Sequence, residues 1–203
     1  MDVQLPKTPV PMFPLPGAFL FPHQVLPLHV FEDRYRQMVR DLLDGPGRLV
    51  IVTTQLGESE TSVHVPEVVG VAGLGEIMRH EQLTDGRFLI WVLGLARVRI
   101  DEVPSDRPYR RAQCSPFREI DVPEPQVADL ARRLRDATSA RLTQPLPLPD
   151  STPPALLADL LLQAAQAPRA VVERAFAEPD VLVRAQLALR AAGAGAGDAD
   201  GGH

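Results

Sequence analysis

The chain has 203 residues and a net charge of −5, with 45% hydrophobic and 23% charged residues. That composition excludes a chain disordered throughout, and the length fits one larger domain or two small ones. A single cysteine, Cys114, excludes an internal disulfide and a multi-cysteine zinc site, and points to a reducing compartment.

The first ~120 residues read as mostly β. Val10–Val30 is apolar but carries prolines at 11, 14, 16, 22 and 27, which remove amide donors and exclude a membrane-spanning helix. Neither a basic start nor an unbroken apolar core marks a signal peptide, so the expectation is a cytoplasmic protein. Glu32 to Leu43 places Tyr35, Met38, Val39, Leu42 and Leu43 at helical spacing, with Glu32 and Asp33 at the start and Gly45-Pro46 as the stop. Leu49–Thr54, Val68–Val71, Phe88–Leu93 and Arg97–Ile100 read as strands. Asp85-Gly86 signals a hairpin turn, and the glycines at 70, 73 and 75 suggest a bulge or sharp bend. In Arg97-Val98-Arg99-Ile100 strict alternation puts both arginines on one face.

After about Pro125 the pattern becomes helical. Val127, Leu130, Ala131 and Leu134 repeat at helical spacing, with Arg132, Arg133 and Arg135 on the other faces. Pro145–Pro154, with five prolines, reads as a stiff connector. A second helix follows, capped by Ser151 or Thr152, with Leu156, Leu157, Leu160 and Leu161 inward. Pro168 opens a third, with Val171, Val172, Ala175 and Phe176. Asp180 caps a fourth, with Leu182, Val183, Leu187 and Leu189. The run from Gly193 has nothing to bury and is expected to be disordered. The expected organisation is a β domain over 1–120, a helical bundle over 121–192 and a tail over 193–203.

Of the 21 basic residues only Lys7 is a lysine. It has no glycine near it, so no P-loop exists, and it alone would have to serve Schiff-base or Ser–Lys chemistry. No Gly-x-Ser-x-Gly elbow occurs. His29, among apolar neighbours, reads as a hydrogen-bonded structural histidine rather than a general base. His64 and Glu67 do not share a strand face and make a poor metal pair, and His80 and Glu81 read as turn residues. Cys114 reads as inert packing. The clusters Arg107, Arg110, Arg111 and Arg132, Arg133, Arg135, with Arg97 and Arg99, read as solvated faces and salt bridges in an acidic chain rather than a phosphate-binding field.

One series of blocks is specific. Met12-Phe13-Pro14-Leu15, Phe21-Pro22 and Leu26-Pro27-Leu28-His29-Val30-Phe31-Glu32-Asp33-Arg34-Tyr35-Arg36 resemble the opening of the Lon N-terminal domain. Val69-Gly70-Val71, Glu76-Ile77, Asp85-Gly86-Arg87, Gly94, Arg97-Val98-Arg99-Ile100 and Pro108-Tyr109 follow in the same order. His23 departs from the family, where glycine is common.

The resemblance implies an α+β fold: a PUA-like pseudo-barrel with one inserted helix, then a small C-terminal helical bundle. It also implies substrate recognition without an ATPase or protease module, as in stand-alone members of the family. The expected role is a non-enzymatic binder of polypeptide, an unfolded chain or protein partner, acting as an adaptor or quality-control factor. The alternative is a PUA-like RNA-binding module. No cofactor, metal or membrane association is expected, and the oligomeric state stays open. The signature residues Phe13, Pro22, Leu28, Phe31, Glu32, Arg34, Tyr35, Asp85, Gly86, Gly94 and Arg97 read mainly as structural, with a recognition surface as the other reading. In the structural reading Phe31 and Tyr35 pack in the core, while Glu32 and Arg34 tie the helix start to neighbouring strands.

Overall fold

The computed structural model describes residues 3–54, 70–144 and 147–195. His64, Pro66, Glu67, Val68 and Val69 lie outside the described residues, as does the tail beyond Gly195. The chain divides into two compact units, Met1–Phe117 and Arg118–His203.

Among the described residues, the first unit is a six-stranded mixed sheet with one helix. Its strands are β1 (Val10–Pro16), β2 (Val25–Val30), β3 (Arg48–Thr54), β4 (Val71–Gln82), β5 (Phe88–Val103) and β6 (Arg111–Pro116). The order is β2-β5-β4-β3-β1-β6, and β5 also pairs with β6. Five strands therefore close on themselves, with β2 added along the first half of β5. Only β1 and β3 run parallel; the other pairs are antiparallel.

The two short strands expected at Phe88–Leu93 and Arg97–Ile100 are one strand of 16 residues. Its continuity depends on a bulge. Gly75 pairs with Gly94 but Leu74 with Ala96, so Leu95 is an extra residue. One extra residue exchanges the two faces of a strand. Before it, Phe88, Ile90 and Val92 join the cluster containing Tyr35, Met38, Val39 and Leu42 of helix α1 (Asp33–Leu43). After it, Val98 and Ile100 turn to the other cluster, with Met12, Val50, Val52, Ala72, Leu74 and Ala112. That second cluster fills the closed part of the sheet.

The glycine pattern has a second cause besides the bulge. A Cβ on Gly73 or Gly94 would collide with the main-chain oxygen of Leu20 or Phe21, and one on Gly75 with the side chains of Val92 and Leu20. The segment between β1 and β2 lies directly on this side of the sheet, tied by His23 N–H to the Gly94 carbonyl (2.8 Å) and Gly94 N–H to the Gln24 carbonyl (2.7 Å). Asp85-Gly86 forms the expected hairpin turn, with Gly86 at φ 81° and its N–H on the Leu83 carbonyl.

The second unit holds α2 (Glu124–Ser139), α3 (Pro154–Ala164), α4 (Arg169–Ala177) and α5 (Val181–Gly195). Asp180 caps α5 as expected, its Oδ1 accepting from the N–H groups of Leu182 and Val183 at 2.8 and 3.2 Å. Helix α3 starts behind Pro153 instead, and Thr152 donates to the Pro149 carbonyl rather than capping. In α3, Leu162 is buried and Leu156 and Leu160 are only half-buried. In α5 the buried stripe is Val181, Arg184, Ala185, Ala188 and Ala192, and the leucines expected inside are half-exposed. Small residues let helix backbones approach, so the alanine face turns inward and rotates the leucines out. The helix also runs to Gly195, past the expected start of the tail.

Arg184 is fully buried, its Nη1 on Glu119 (2.6 Å) and its Nε 3.6 Å from buried Asp159. A buried charge needs partners, and these two carboxylates supply them. Leu43 was expected on the buried face of α1, but it is exposed.

His23 sits at φ 65°, a left-handed conformation that favours glycine. Replacing it with glycine should stabilise the fold by on the order of 1 kcal/mol and raise Tm by about 2–4 °C. Gly94→Ala should cost about 3 kcal/mol or more, because no flexible side chain can yield to the added methyl. Thermal denaturation of both variants checks the pair; a stable Gly94→Ala protein would contradict the close approach.

Candidate functional site

The signature residues fall into separate groups. Phe13 and Tyr35 are buried against one another, ring centroids 4.3 Å apart, and burial pushes the Tyr35 hydroxyl up to about 12. Arg34 stacks 4.6 Å from the Tyr35 ring and pairs with Glu32 at 2.8 Å. Leu28 is half-buried against the α1-side cluster, and Pro22 is half-buried in the segment crossing the sheet. Arg97 is buried, its guanidinium 5.3 Å from the Phe21 ring beside Gly94. It is therefore not on a solvated face; the bulge has turned it toward the crossing segment. Asp85 Oδ1 accepts from the Arg87 N–H, which holds its carboxyl below the usual range, and Arg36 donates to the Gly86 carbonyl at 2.9 Å.

Phe31 breaks the pattern. It was expected in the core, yet it is 61% exposed. Its strand explains why. In β2–β5 pairing, Leu26, Leu28 and Val30 face the α1-side cluster, so Val25, Pro27 and His29 face the other way, opposite Leu93, Trp91 and Leu89. An antiparallel strand packed on one side normally turns polar residues outward. Here the second face is apolar too.

That face is the sheet side that lines the closed sheet beyond the bulge, continued past it into the open. Val25 is 46% exposed, and Leu89, Trp91 and Leu93 are half-buried. Phe31 extends it at the end of β2, its ring 6.0 Å from His29. On β4, Arg79 pairs with Trp91 and lays its guanidinium 4.8 Å from the indole. Met78, the extra residue of a second bulge, is 59% exposed. His29 is exposed as part of this face and is not an enclosed structural histidine. An exposed apolar patch with a stacked cation marks this face as an interaction surface.

The polar groups around the main cleft are largely engaged with one another or with main chain. A cleft of about 530 Å³ is lined by Pro6–Pro11, Asp41, Arg48, Arg107, Tyr109 and Arg111. Asp41 accepts from Tyr109 (2.7 Å), Gln37 (2.7 Å) and Arg107 (3.3 Å). Arg48 and Arg111 donate to the main-chain carbonyls of Gln4 (2.7 Å) and Pro9 (2.9 Å). Arg110 pairs with Glu102, Arg132 with Asp129 and Arg135 with Asp150. The arginine clusters are thus largely ion-paired, as read from the sequence. Among the described residues no three His, Cys, Asp or Glu side chains gather for a metal, and no helix is long and apolar enough to cross a membrane.

Residues 9–190 match the model of the ATP-dependent protease La (LON) substrate-binding domain, and the chain belongs to that family. Lon protease 2 of Sorangium cellulosum is 29% identical over 198 residues, 91% of this chain but 24% of its own length. Lon protease of Xanthomonas oryzae pv. oryzae is 28% identical over 126 residues, 62% of this chain and 15% of its own. The chain thus spans about a quarter or less of these relatives. Among solved structures, a Lon N-terminal domain protein from Xanthomonas campestris superposes with a TM-score of 0.63 at 19% identity, covering 90% of this chain and 98% of that one. The N-terminal domain of Mycobacterium avium complex Lon protease does so at 0.67 and 16%, covering 92% and 98%. The α+β, PUA-like architecture is the one these domains share.

Two outcomes follow from the polar groups. Burial raises the Cys114 thiol to about 11, so at pH 8 a thiol reagent should label it only in denaturant; fast labelling of the native protein would contradict its place in the closed sheet. Asp41 is held below its ordinary value first by the Tyr109 hydrogen bond. A lowered carboxylate stabilises above the unfolded value of about 3.9 and loses that contribution as pH falls through the folded one. Asp41→Asn should therefore lower stability at pH 7 and flatten its fall at lower pH, read by urea titration across the range.

Proposed function

We propose that the chain binds polypeptide, without catalysis of its own, on the apolar face built by Val25, Phe31, Leu89, Trp91, Leu93 and Met78. The observation that carries this reading is the exposure of Val25 on a strand whose opposite face is already packed, with Phe31 exposed directly after that strand. The substrate-binding family it belongs to supports the same class of ligand. An adaptor or quality-control role in the cytoplasm follows as the biological setting.

The face, rather than the strand edge, is the contact surface. Gly94 N–H bonds to the Gln24 carbonyl, so even-numbered residues of β2 bond to β5 and odd-numbered ones turn to the free edge. Pro27 is among these, and without an N–H it blunts strand addition there.

Titration of a labelled, reduced and carboxymethylated unfolded protein measures the reading directly. Val25→Asp with Phe31→Asp should weaken binding at least tenfold, about 1.4 kcal/mol, with little change in Tm because both side chains are exposed. Folded protein should bind no better than background. Equal affinity in the double variant would remove the face from the function, and binding of an RNA oligonucleotide that falls steeply with salt would replace polypeptide with nucleic acid.

A further inference from the structure

The helical unit carries a second surface, independent of the sheet face. Because α5 buries Val181, Arg184, Ala185, Ala188 and Ala192, its leucines are left half-exposed, and Leu182 and Leu189 face a groove shared with α2. Leu182 and Leu189, with Leu130 of α2, form the floor of a groove of about 350 Å³. Gln186, Arg133 and Arg190 complete the lining. On α5, positions 182, 186, 189 and 190 follow one side of the helix for about 12 Å, a little over two turns.

The charge of this groove is opposite to that of the chain. The sequence has 26 acidic residues and a net charge of −5, yet the lining contains two arginines and no carboxylate. Among the described residues Arg133 reaches only Asp129, at 4.0 Å across exposed side chains, and Asp129 is also held by Arg132. Arg190 is exposed, and no hydrogen bond or ion pair engages it among the described residues. Exposed arginine beside half-exposed leucine suits an occupant that offers apolar side chains and carboxylates together.

We propose that the groove between α2 and α5 docks an acidic amphipathic helix of a partner protein, with leucine-type anchors on Leu130, Leu182 and Leu189 and glutamates on Arg133 and Arg190. Two helical turns match the groove's length, and anchors at i, i+3, i+4 and i+7 match its floor. Arginine sets the sign of the partner's charge and opposes a basic segment of the same apolar pattern.

The test uses the full chain and a labelled helical peptide of about 16 residues, with leucines at i, i+3, i+4 and i+7 flanked by glutamates, beside a lysine-flanked control. The glutamate peptide should bind at least tenfold more tightly than the control. Arg133→Glu with Arg190→Glu should reverse that preference, which a merely unfolded variant could not do. Leu182→Asp should abolish binding with the helical circular dichroism retained, and Val25→Asp with Phe31→Asp should leave it unchanged, separating this surface from the sheet face. Equal binding of the two peptides, or a glutamate peptide indifferent to both arginine changes, would overturn the proposal. So would a dimer in light scattering that Leu182→Asp converts to monomer, since a second copy would then cover the groove.

Discussion

The first unit depends on the contact between the Leu20-Phe21 backbone and the sheet. Gly73 and Gly94 leave no side chain where this segment crosses, so main chain rests on main chain, Gly75 makes room for the Leu20 side chain, and the Gly94–Gln24 hydrogen bond sets the start of β2 against β5. The contact also places Phe21 under the guanidinium of Arg97. A buried cation is costly without compensation, and the aromatic face contributes part of it. The Phe21-Pro22 pair and the Gly94 and Arg97 pair are far apart in sequence and form one joint.

The bulge at Leu95 makes that joint possible and creates the candidate surface at the same time. A single strand serves two cores because its apolar residues exchange faces at one extra residue. The side that fills the closed sheet then emerges as the exposed side of β2–β5–β4. Its apolarity is continuous with the interior, but its cover is missing among the described elements of this unit. The proposed function and the fold use the same alternation.

The helical unit follows a different rule. Alanines and a buried arginine occupy the inner face of α5, and the Arg184–Glu119–Asp159 cluster fixes how the helices meet. Leucine, the larger and more apolar side chain, is left half-exposed. Packing distance, not hydrophobicity alone, decides which face turns inward.

Sequence alone determined the family, the α+β order, helix α1, the Asp85-Gly86 hairpin and the Asp180 cap. Each rests on local chemistry: periodicity, turn residues, a side chain within reach of nearby amides. The tertiary structure alone decided the merging of two strands into β5, the burial of Arg97, the exposure of Phe31 and the rotation of α5. These depend on pairing partners dozens of residues away. A bulge inverts every face beyond it, and an apolar residue looks the same in sequence whether its face is covered or bare. That is why the signature was legible as a motif while the exposure of its apolar member Phe31 was not.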